Sequence, residues 1–458
     1  MSIVSFLERS RNVDMLHGTL WDKLLIFSFP LALTTILQQL FNTADVVTLG
    51  NFVSAEAMAA VGNNVPIIGL VVNLFVGLSI GTNVVVARYI GMGDPKKAND
   101  AVHVSILLAV LVGILVALAG EFFCEEIIEL MEVPDNVKQE TSSYMRYFFI
   151  GIPFISINNF EAALFRAKGD TVSPLLALFW ASLVNIAGNL LSVLVLDAGI
   201  EGVAVSTTIA NGVCSLYLFY LLRKDRNILH VTIGRLFYLD TKKAWAIIAI
   251  GLPSSLQFMV FSLSNLVIQS AINSLGSDTM AASVAAFTIE INIYAVVNAF
   301  GLALTTFIGQ NYGAGNLERC RRVFWVDIRL NMLITVIITL LTVIFARNLL
   351  GEFTDSETVI AIGMTRILYV AAPQPIGVIM ESLAAAMRGY GYSLPPALAS
   401  LIVVCGVRLL WVYTEFQQWH TFEALMVIYP VSWILNVLFL TVLYIFQQKS
   451  IRQKSGGI

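Results

Sequence analysis

Residues 91–100, GMGDPKKAND, return at residues 313–322 as GAGNLERCRR, a shift of 222 positions that sets Gly91 on Gly313 and Gly93 on Gly315. Held at that shift, Tyr147 meets Tyr369, Pro153 meets Pro375 and Arg166 meets Arg388. Gly169 then meets Gly391 and Pro174 meets Pro396, with no gap between Gly91 and Ala177. The second half of the chain therefore repeats the first. Two like halves in a very apolar chain are the mark of alternating-access membrane proteins.

The apolarity is plain. Of 458 residues, 57% are hydrophobic and 12% are charged, where soluble proteins carry about 25% charged residues. A chain this long with so few charges cannot coat a globule in water, so lipid is its solvent for much of its length. A net charge of −3 offers no basic field for nucleic acid. Cys124, Cys214, Cys320 and Cys405 have neither metal nor redox spacing and read as small apolar fillers. Glu8, Arg9, Arg11, Asp14 and Asp22 precede any long apolar run, and no A-x-A site follows. Residues 1–22 thus read as a cytoplasmic lead, not as a secretory signal.

A helix needs about 20 apolar residues to cross the hydrocarbon core. About twelve such stretches follow one another, from 24–49 to 424–446. Lys96 and Lys97, Arg166 and Lys168, the basic stretch 223–243, Arg319, Arg321 and Arg322, and the tail Lys449, Arg452 and Lys454 all fall on alternate connections. The intervening loop Glu121–Asp135 is acidic instead, with Glu125, Glu126, Glu129 and Glu132. The positive-inside rule places both termini in the cytoplasm. The expected architecture is an all-α integral membrane protein of about twelve transmembrane helices in two pseudo-symmetric six-helix lobes. The boundaries are 1–22 for the lead, 23–222 for the N-lobe, 223–243 for the inter-lobe loop, 244–446 for the C-lobe and 447–458 for the tail.

The chain has no G-x-x-x-x-G-K-[ST] loop, no H-E-x-x-H and no G-x-S-x-G. It reads as a protein that is not an enzyme and needs no cofactor, with its energy drawn from a Na⁺ or H⁺ gradient. It has no filter-like loop and no arginine ladder, which argues against a channel or voltage sensor.

Ionisable side chains deep in a span cost about 2.5–3.5 kcal/mol on insertion scales, so each needs a reason. Asp45 shares one helical face with Gln38 and Asn42, and a cation- or proton-binding role is expected of it. Glu290 is the deepest carboxyl of the second half and is expected to bind substrate or ion. Glu161 and Glu381 sit at similar depths, each near an arginine, Arg166 or Arg388. They read either as ion pairs anchoring a helix end or as gating or substrate contacts. Asn185 and Asn189 lie one turn apart, and Thr207 and Thr208 follow on the next span. Their oxygens are hard ligands for an alkali cation, or equally helix–helix hydrogen-bonding groups. Arg408 either snorkels or pairs internally.

Four segments resemble the multidrug and toxic compound extrusion (MATE) family of secondary transporters. They are FPLALTTILQQLFNTADVVTLGNF (29–52), the stretch 59–100, GIPFISINNFEAALFRAKGDTVSPLLALFWASLVNI (151–186) and the stretch 285–322 that opens AAFTIEINIYAVVNAF. The resemblance runs nearly end to end. It implies two six-helix lobes around a V-shaped cavity, and export of organic cations in exchange for Na⁺ or H⁺. Asp45 matches the family's first-helix aspartate. The DinF-like branch implies a coupling site at Asp45, Asn185, Asn189 and Thr207, with Asn189 where that branch has a second Asp. The NorM-like branch keeps a glutamate ten residues after the glycine of G-L-P, where this chain has Phe261.

The expected activity is antiport of small drug-like compounds, cationic and aromatic because the intramembrane groups are mainly acidic. The expected setting is the inner cell membrane, as a monomer in the lipid bilayer. The rival is a lipid-linked saccharide flippase of the same superfamily, disfavoured by twelve spans and acidic cavity candidates. A membrane-embedded lipid-modifying enzyme is more distant, since no Asp/His or Asp/Asp pair lies at a membrane face.

Overall fold

A computed structural model describes residues 8–131 and 133–455. Residues 1–7 of the lead, Glu132 of the acidic loop and residues 456–458 of the tail lie outside them. Twelve helices are long and apolar enough to cross a membrane. They are α1 (Trp21–Gly50), α2 (Ala60–Gly91), α3 (Pro95–Phe122), α4 (Val137–Lys168), α5 (Val172–Leu194), α6 (Gly199–Lys224), α7 (Thr241–Asn273), α8 (Ser277–Gly313), α9 (Leu317–Ile344), α10 (Glu357–Gly389), α11 (Leu394–Trp419) and α12 (Phe422–Gln453). Short helices Cys124–Leu130 and Ala346–Gly351 follow α3 and α9 at matching places in the repeat.

The repeated glycines have a mechanical reason. Gly93 and Gly315 adopt left-handed φ of 68° and 74°, a region that residues with a Cβ enter at a cost. The next residue in each half caps the helix that begins there. Asp94 accepts from the Lys97 amide, and Asn316 from the Arg319 amide, both at 2.9 Å. Gly169 and Gly391 close α4 and α10 with φ of 106° and 84°. A Cβ on Gly169 would also sit 2.6 Å from the Val13 carbonyl oxygen. The repeat is thus a set of helix starts and stops.

The halves differ in helix regularity. Pro153 lies inside an unbroken α4. In α10, a π-helical turn at Ile367–Ala371 comes before Pro375, and in α11 a second one spans Ser400–Gly406. Such turns relieve the backbone bonds that a kink displaces.

The chain packs as two compact units: Met1–Asp14 with Leu33–Ser255, and Met15–Ala32 with Leu256–Ile458. The changeovers follow Pro30 in α1 and Pro253 in α7. In the first unit, α2 takes the first half of α7 at near contact. A Cβ on Gly77 would lie 2.3 Å from Ser255 backbone atoms, and one on Gly81 would lie 2.0 Å from the Ile247 carbonyl oxygen. In the second unit, Phe27 of α1 meets Phe307 of α8 edge-on, with centroids 5.7 Å apart. Close backbone approach of this kind drives helix association in lipid, where burial against apolar solvent gains nothing.

The N-terminal lead is tied down. In the first unit, the Val13 amide donates to the Gly169 carbonyl and the Thr171 amide to that of Ser10. In the second, Asn311 and Arg319 donate to the Met15 carbonyl, and Arg319 also donates to those of His17 and Gly18. The loop 223–243 docks on the start of α3. Asn99 donates to the carbonyls of Ile228 and His230, Arg235 pairs with Asp100 at 2.6 Å, and the Thr232 amide donates to Nε2 of His103.

Candidate functional site

Asp45 sits at the point where α1, α5 and α6 meet in the first unit, 4% exposed. Small residues bring α5 and α6 together. A Cβ on Gly188 would lie 2.9 Å from the Ser206 hydroxyl, and one on Gly202 would lie 2.6 Å from the Ser192 Cβ. Just beyond Asp45, Leu49 packs among Val193, Ile200, Val203 and Ala204, which fixes the C-terminal end of α1 against the same two helices. The close seam turns Asn185 and Asn189, one turn apart on α5, and Thr207 on α6 toward a single carboxylate.

The geometry is specific. The amides of Asn185 and Asn189 donate to Oδ1 of Asp45 at 3.0 and 2.7 Å, and the Thr207 hydroxyl donates to Oδ2 at 2.8 Å. The Asn185 amide is also 3.1 Å from the Thr207 hydroxyl. Oδ1 of Asn189 is buried without a partner. Among the described residues, no lysine or arginine forms an ion pair with Asp45. An ionised carboxylate this deep is tolerable because three neutral donors surround it, yet none of them cancels its charge. As placed, the two amides present nitrogen to the carboxylate, and the oxygens that face one another are those of Asp45 and the Thr207 hydroxyl.

The structure thus brings together Asp45, Asn185, Asn189 and Thr207. It does not bring Gln38 or Asn42 to them, since both side chains are exposed on α1, one and two turns before Asp45. Tyr144, Gly151, Thr208 and Asn211 line a small cleft between α4 and α6 beside Thr207.

The other acids divide by a rule of spacing. Glu381 and Arg388 are paired and buried in α10. Glu161 and Arg166 of α4 are not paired. Arg166 reaches Ser79 at 3.5 Å, and both carboxyl oxygens of Glu161 are buried without a hydrogen-bond partner. Ser215 is near that carboxyl without meeting hydrogen-bond geometry. The ion-pair reading therefore holds for Glu381 and is corrected for Glu161. Seven residues along a helix return to within about 20° of the same face, whereas five lie about 140° away.

Glu290 is not a free acid. Arg366 of α10 holds it through two nitrogens and also donates to Ser283 at 2.7 Å. Arg408 does not snorkel. It is 3% exposed, bonded to Asn265 and Ser432, and lies 4.5 Å from the centre of the Tyr429 ring. Arg366 went unread in the sequence because it stands near the start of a span, among residues that pass for a helix end. Asp327 of α9, fully buried, was hidden likewise by the charged run around Arg319–Arg322. Its signal was there in Asn331 and Thr335, at four-residue steps along the same helix. Among the described residues, no group of three or more His, Cys, Asp or Glu side chains is placed to hold a metal ion.

A family model described as MatE matches residues 30–191 and again 253–414, so one model recognises both halves. The chain is 25% identical over 399 residues to the probable multidrug resistance protein YoeA of Bacillus subtilis, covering 85% of this chain and 86% of that protein. It is 25% identical over 380 residues to an FAD transporter of Shewanella oneidensis, covering 81% and 82%. Among solved structures, a MATE protein in complex with MaL6 superposes with a TM-score of 0.88 at 21% identity, over 97% of this chain and 99% of that one. A MOP superfamily transporter from Pyrococcus furiosus, for which a reversed polarity of the binding pocket is described, gives 0.85 at 22% identity, over 96% and 98%. These likenesses establish the twelve-helix fold.

Proposed function

The chain belongs to the MatE family, and on that premise we propose that it is a secondary antiporter, exporting organic compounds in exchange for Na⁺ or H⁺ by alternating access of two lobes. The observation that carries this reading is the Asp45 cluster: one buried carboxylate, three neutral donors and no basic partner among the described residues. Such a site holds one positive charge and lets it go again. A salt-bridged carboxylate would not.

Binding has a structural consequence. With Asp45 ionised and free, Asn185 and Asn189 present their amide N–H groups to it. A cation or proton on Asp45 removes the need for those donors, and the amides then turn their oxygens inward. Thr207 rotates with them, and the fit of α1 against α5 and α6 changes. The ion biases one state over the other only by its differential affinity for the two.

The DinF-like branch is the closer reading. The cluster uses the positions that branch implies, with Asn189 in place of a second acid, and Phe261 occupies the NorM-like glutamate position. Gln38 and Asn42, exposed on the face of α1 that carries Asp45, are candidates for contact with substrate. Glu161 is a candidate gating residue. Glu290 and Glu381 serve mainly to hold Arg366 and Arg388. The mainly acidic intramembrane groups favour a cationic, aromatic substrate, and the basic connections favour cytoplasmic termini; the setting in this reading is the inner membrane, with the protein a monomer.

Dye transport in inverted vesicles tests the proposal, with a Na⁺ or a pH gradient imposed on the parent and on Asp45→Asn. The parent is expected to accumulate dye under one gradient, and Asp45→Asn is expected to lose that dependence. Equal gradient-driven transport in both would remove Asp45 from the coupling step. No transport under either gradient with several cationic dyes would overturn export of this class.

A further inference from the structure

The buried face of α9 is polar where membrane helices are usually apolar. After Phe324 its buried positions are Asp327, Asn331, Thr335, Thr339 and Thr342. The opposite face carries Leu333, Val336, Ile337, Leu340, Leu341 and Ile344, all exposed. From Asp327 to Thr342 the stripe covers about 22 Å of helix, a large part of an about 30 Å hydrocarbon core. The matching helix of the N-terminal half, α3, has no such stripe beyond Ser105. At the 222 shift its counterparts in α3 are Ser105, Ala109, Gly113, Ala117 and Gly120. A Cβ on Gly113 would meet Pro153, and one on Gly120 the Phe149 ring.

Interhelical hydrogen bonding explains polar residues in a span only if they are bonded. Here they are half-bonded. Ser382 donates to Oδ2 of Asp327 at 3.3 Å, and Thr335 donates to Oδ1 of Asn331 at 3.2 Å. Oδ1 of Asp327, Nδ2 of Asn331 and Oγ1 of Thr339 are buried with no partner. Open valences in lipid cost several kcal/mol, and at Asp327 and Asn331 they lie one helical turn apart, where one water serves both.

The charged and titratable groups around Asp327 leave one negative charge over. From α10, Glu381 lies within electrostatic reach, and its own charge is taken by Arg388. From α8, Tyr294 faces that same Glu381–Arg388 pair. From α12, Tyr444 stacks on Phe324, three residues before Asp327, at 4.9 Å. Arg329 on α9 itself is exposed, away from the buried face. Asp327 thus has no cation of its own among the described residues.

We propose that Asp327 is a second proton-binding carboxyl of this protein, in the C-terminal half and separate from Asp45, served by the polar lane Asn331–Thr335–Thr339. The open Oδ1 takes the proton while Ser382 holds Oδ2. Asn331, one turn away, offers its unpaired amide N–H to the oxygen of a water that donates in turn to that carboxyl oxygen. The inference goes beyond the Asp45 reading and does not depend on which ion Asp45 binds.

Infrared difference spectroscopy of the protein in lipid nanodiscs, taken across a pH series, reads protonated carboxyls directly. Asp327→Asn is expected to lose one protonated-carboxyl component that Asp45→Asn retains. Asp327→Glu should keep the component at a displaced pH midpoint, and Asn331→Leu should move the midpoint without removing it. Spectra of Asp327→Asn that superimpose on the parent at every pH would overturn the proposal. If Asp327→Asn does not yield a monodisperse protein, the glutamate variant decides, and an unchanged midpoint there overturns it equally. Retained gradient-driven dye transport in Asp45→Asn, with the Asp327 component present, would defeat the Asp45 reading alone.

Discussion

Arg366 grips Glu290 from Nε at 3.0 Å and from a terminal nitrogen at 3.2 Å, with both residues at most 8% exposed. Breaking such a pair from one side leaves a bare buried charge, and this typically costs about 3–5 kcal/mol. Glu290→Gln should therefore lower the thermal unfolding temperature sharply in detergent. The double variant Glu290→Gln with Arg366→Met, which leaves no charge stranded, should recover most of the loss. Equal losses in the single and double variants would show that the pair is not the source.

Glu381 and Glu161 should respond differently to the same change. Glu381→Gln strands Arg388, which keeps the neutral Gln257 at 3.2 Å and the face of the Phe258 ring. Loss of a few kcal/mol is expected. Glu161→Gln strands nothing, since Arg166 is not its partner, and the expected change is within about 1 kcal/mol. Matched thermal melts of the two variants check this, and equal destabilisation would contradict the spacing argument.

Asn189→Asp would place a second carboxyl 2.7 Å from Asp45, where the amide now stands. Two carboxylates that close share a proton, and one of them holds it to higher pH. The pH of half-maximal transport driven by a pH gradient should rise by about one unit or more. An unmoved profile would mean that Asn189 does not touch the coupling event.

The α5–α6 seam can be wedged without altering a single ligand of Asp45. Gly202→Ala puts a methyl group 2.6 Å from the Ser192 Cβ, an overpacking that costs about 1–3 kcal/mol. Ion dependence of transport should weaken several-fold while Asp45, Asn185, Asn189 and Thr207 all remain. Wild-type ion dependence in a folded Gly202→Ala protein would show that the seam does not set the site's geometry.

Asp94→Ala and Asn316→Ala each remove one helix cap. Each should cost about 1 kcal/mol, and the losses should add in the double variant. Urea or thermal titration of the three proteins measures it.

The sequence carried the fold because span length and loop charge are local quantities. Twelve apolar runs became twelve helices, and the repeated pairs Gly93/Gly315 and Gly169/Gly391 became left-handed turns. The Asp45 cluster was equally legible, since the spacing within α5 placed Asn185 and Asn189 on one face and the family resemblance joined them to Thr207. What stayed hidden depends on partners far apart in the chain. Nothing near Glu290 announces that Arg366, 76 residues on, will neutralise it. Asp327 required reading the inward face of α9 separately from its lipid face, whereas mean hydropathy blends the two.

The changeovers after Pro30 and Pro253 bear on how this protein can be made. A cut in the long loop before α7 would leave the upstream fragment without the α7 segment that its glycines clasp. The downstream fragment would lack the α1 segment that carries Phe27. Neither fragment would hold a complete unit. Each unit is completed by half a helix from the other half of the chain, so the whole chain must be made before either unit has all its parts.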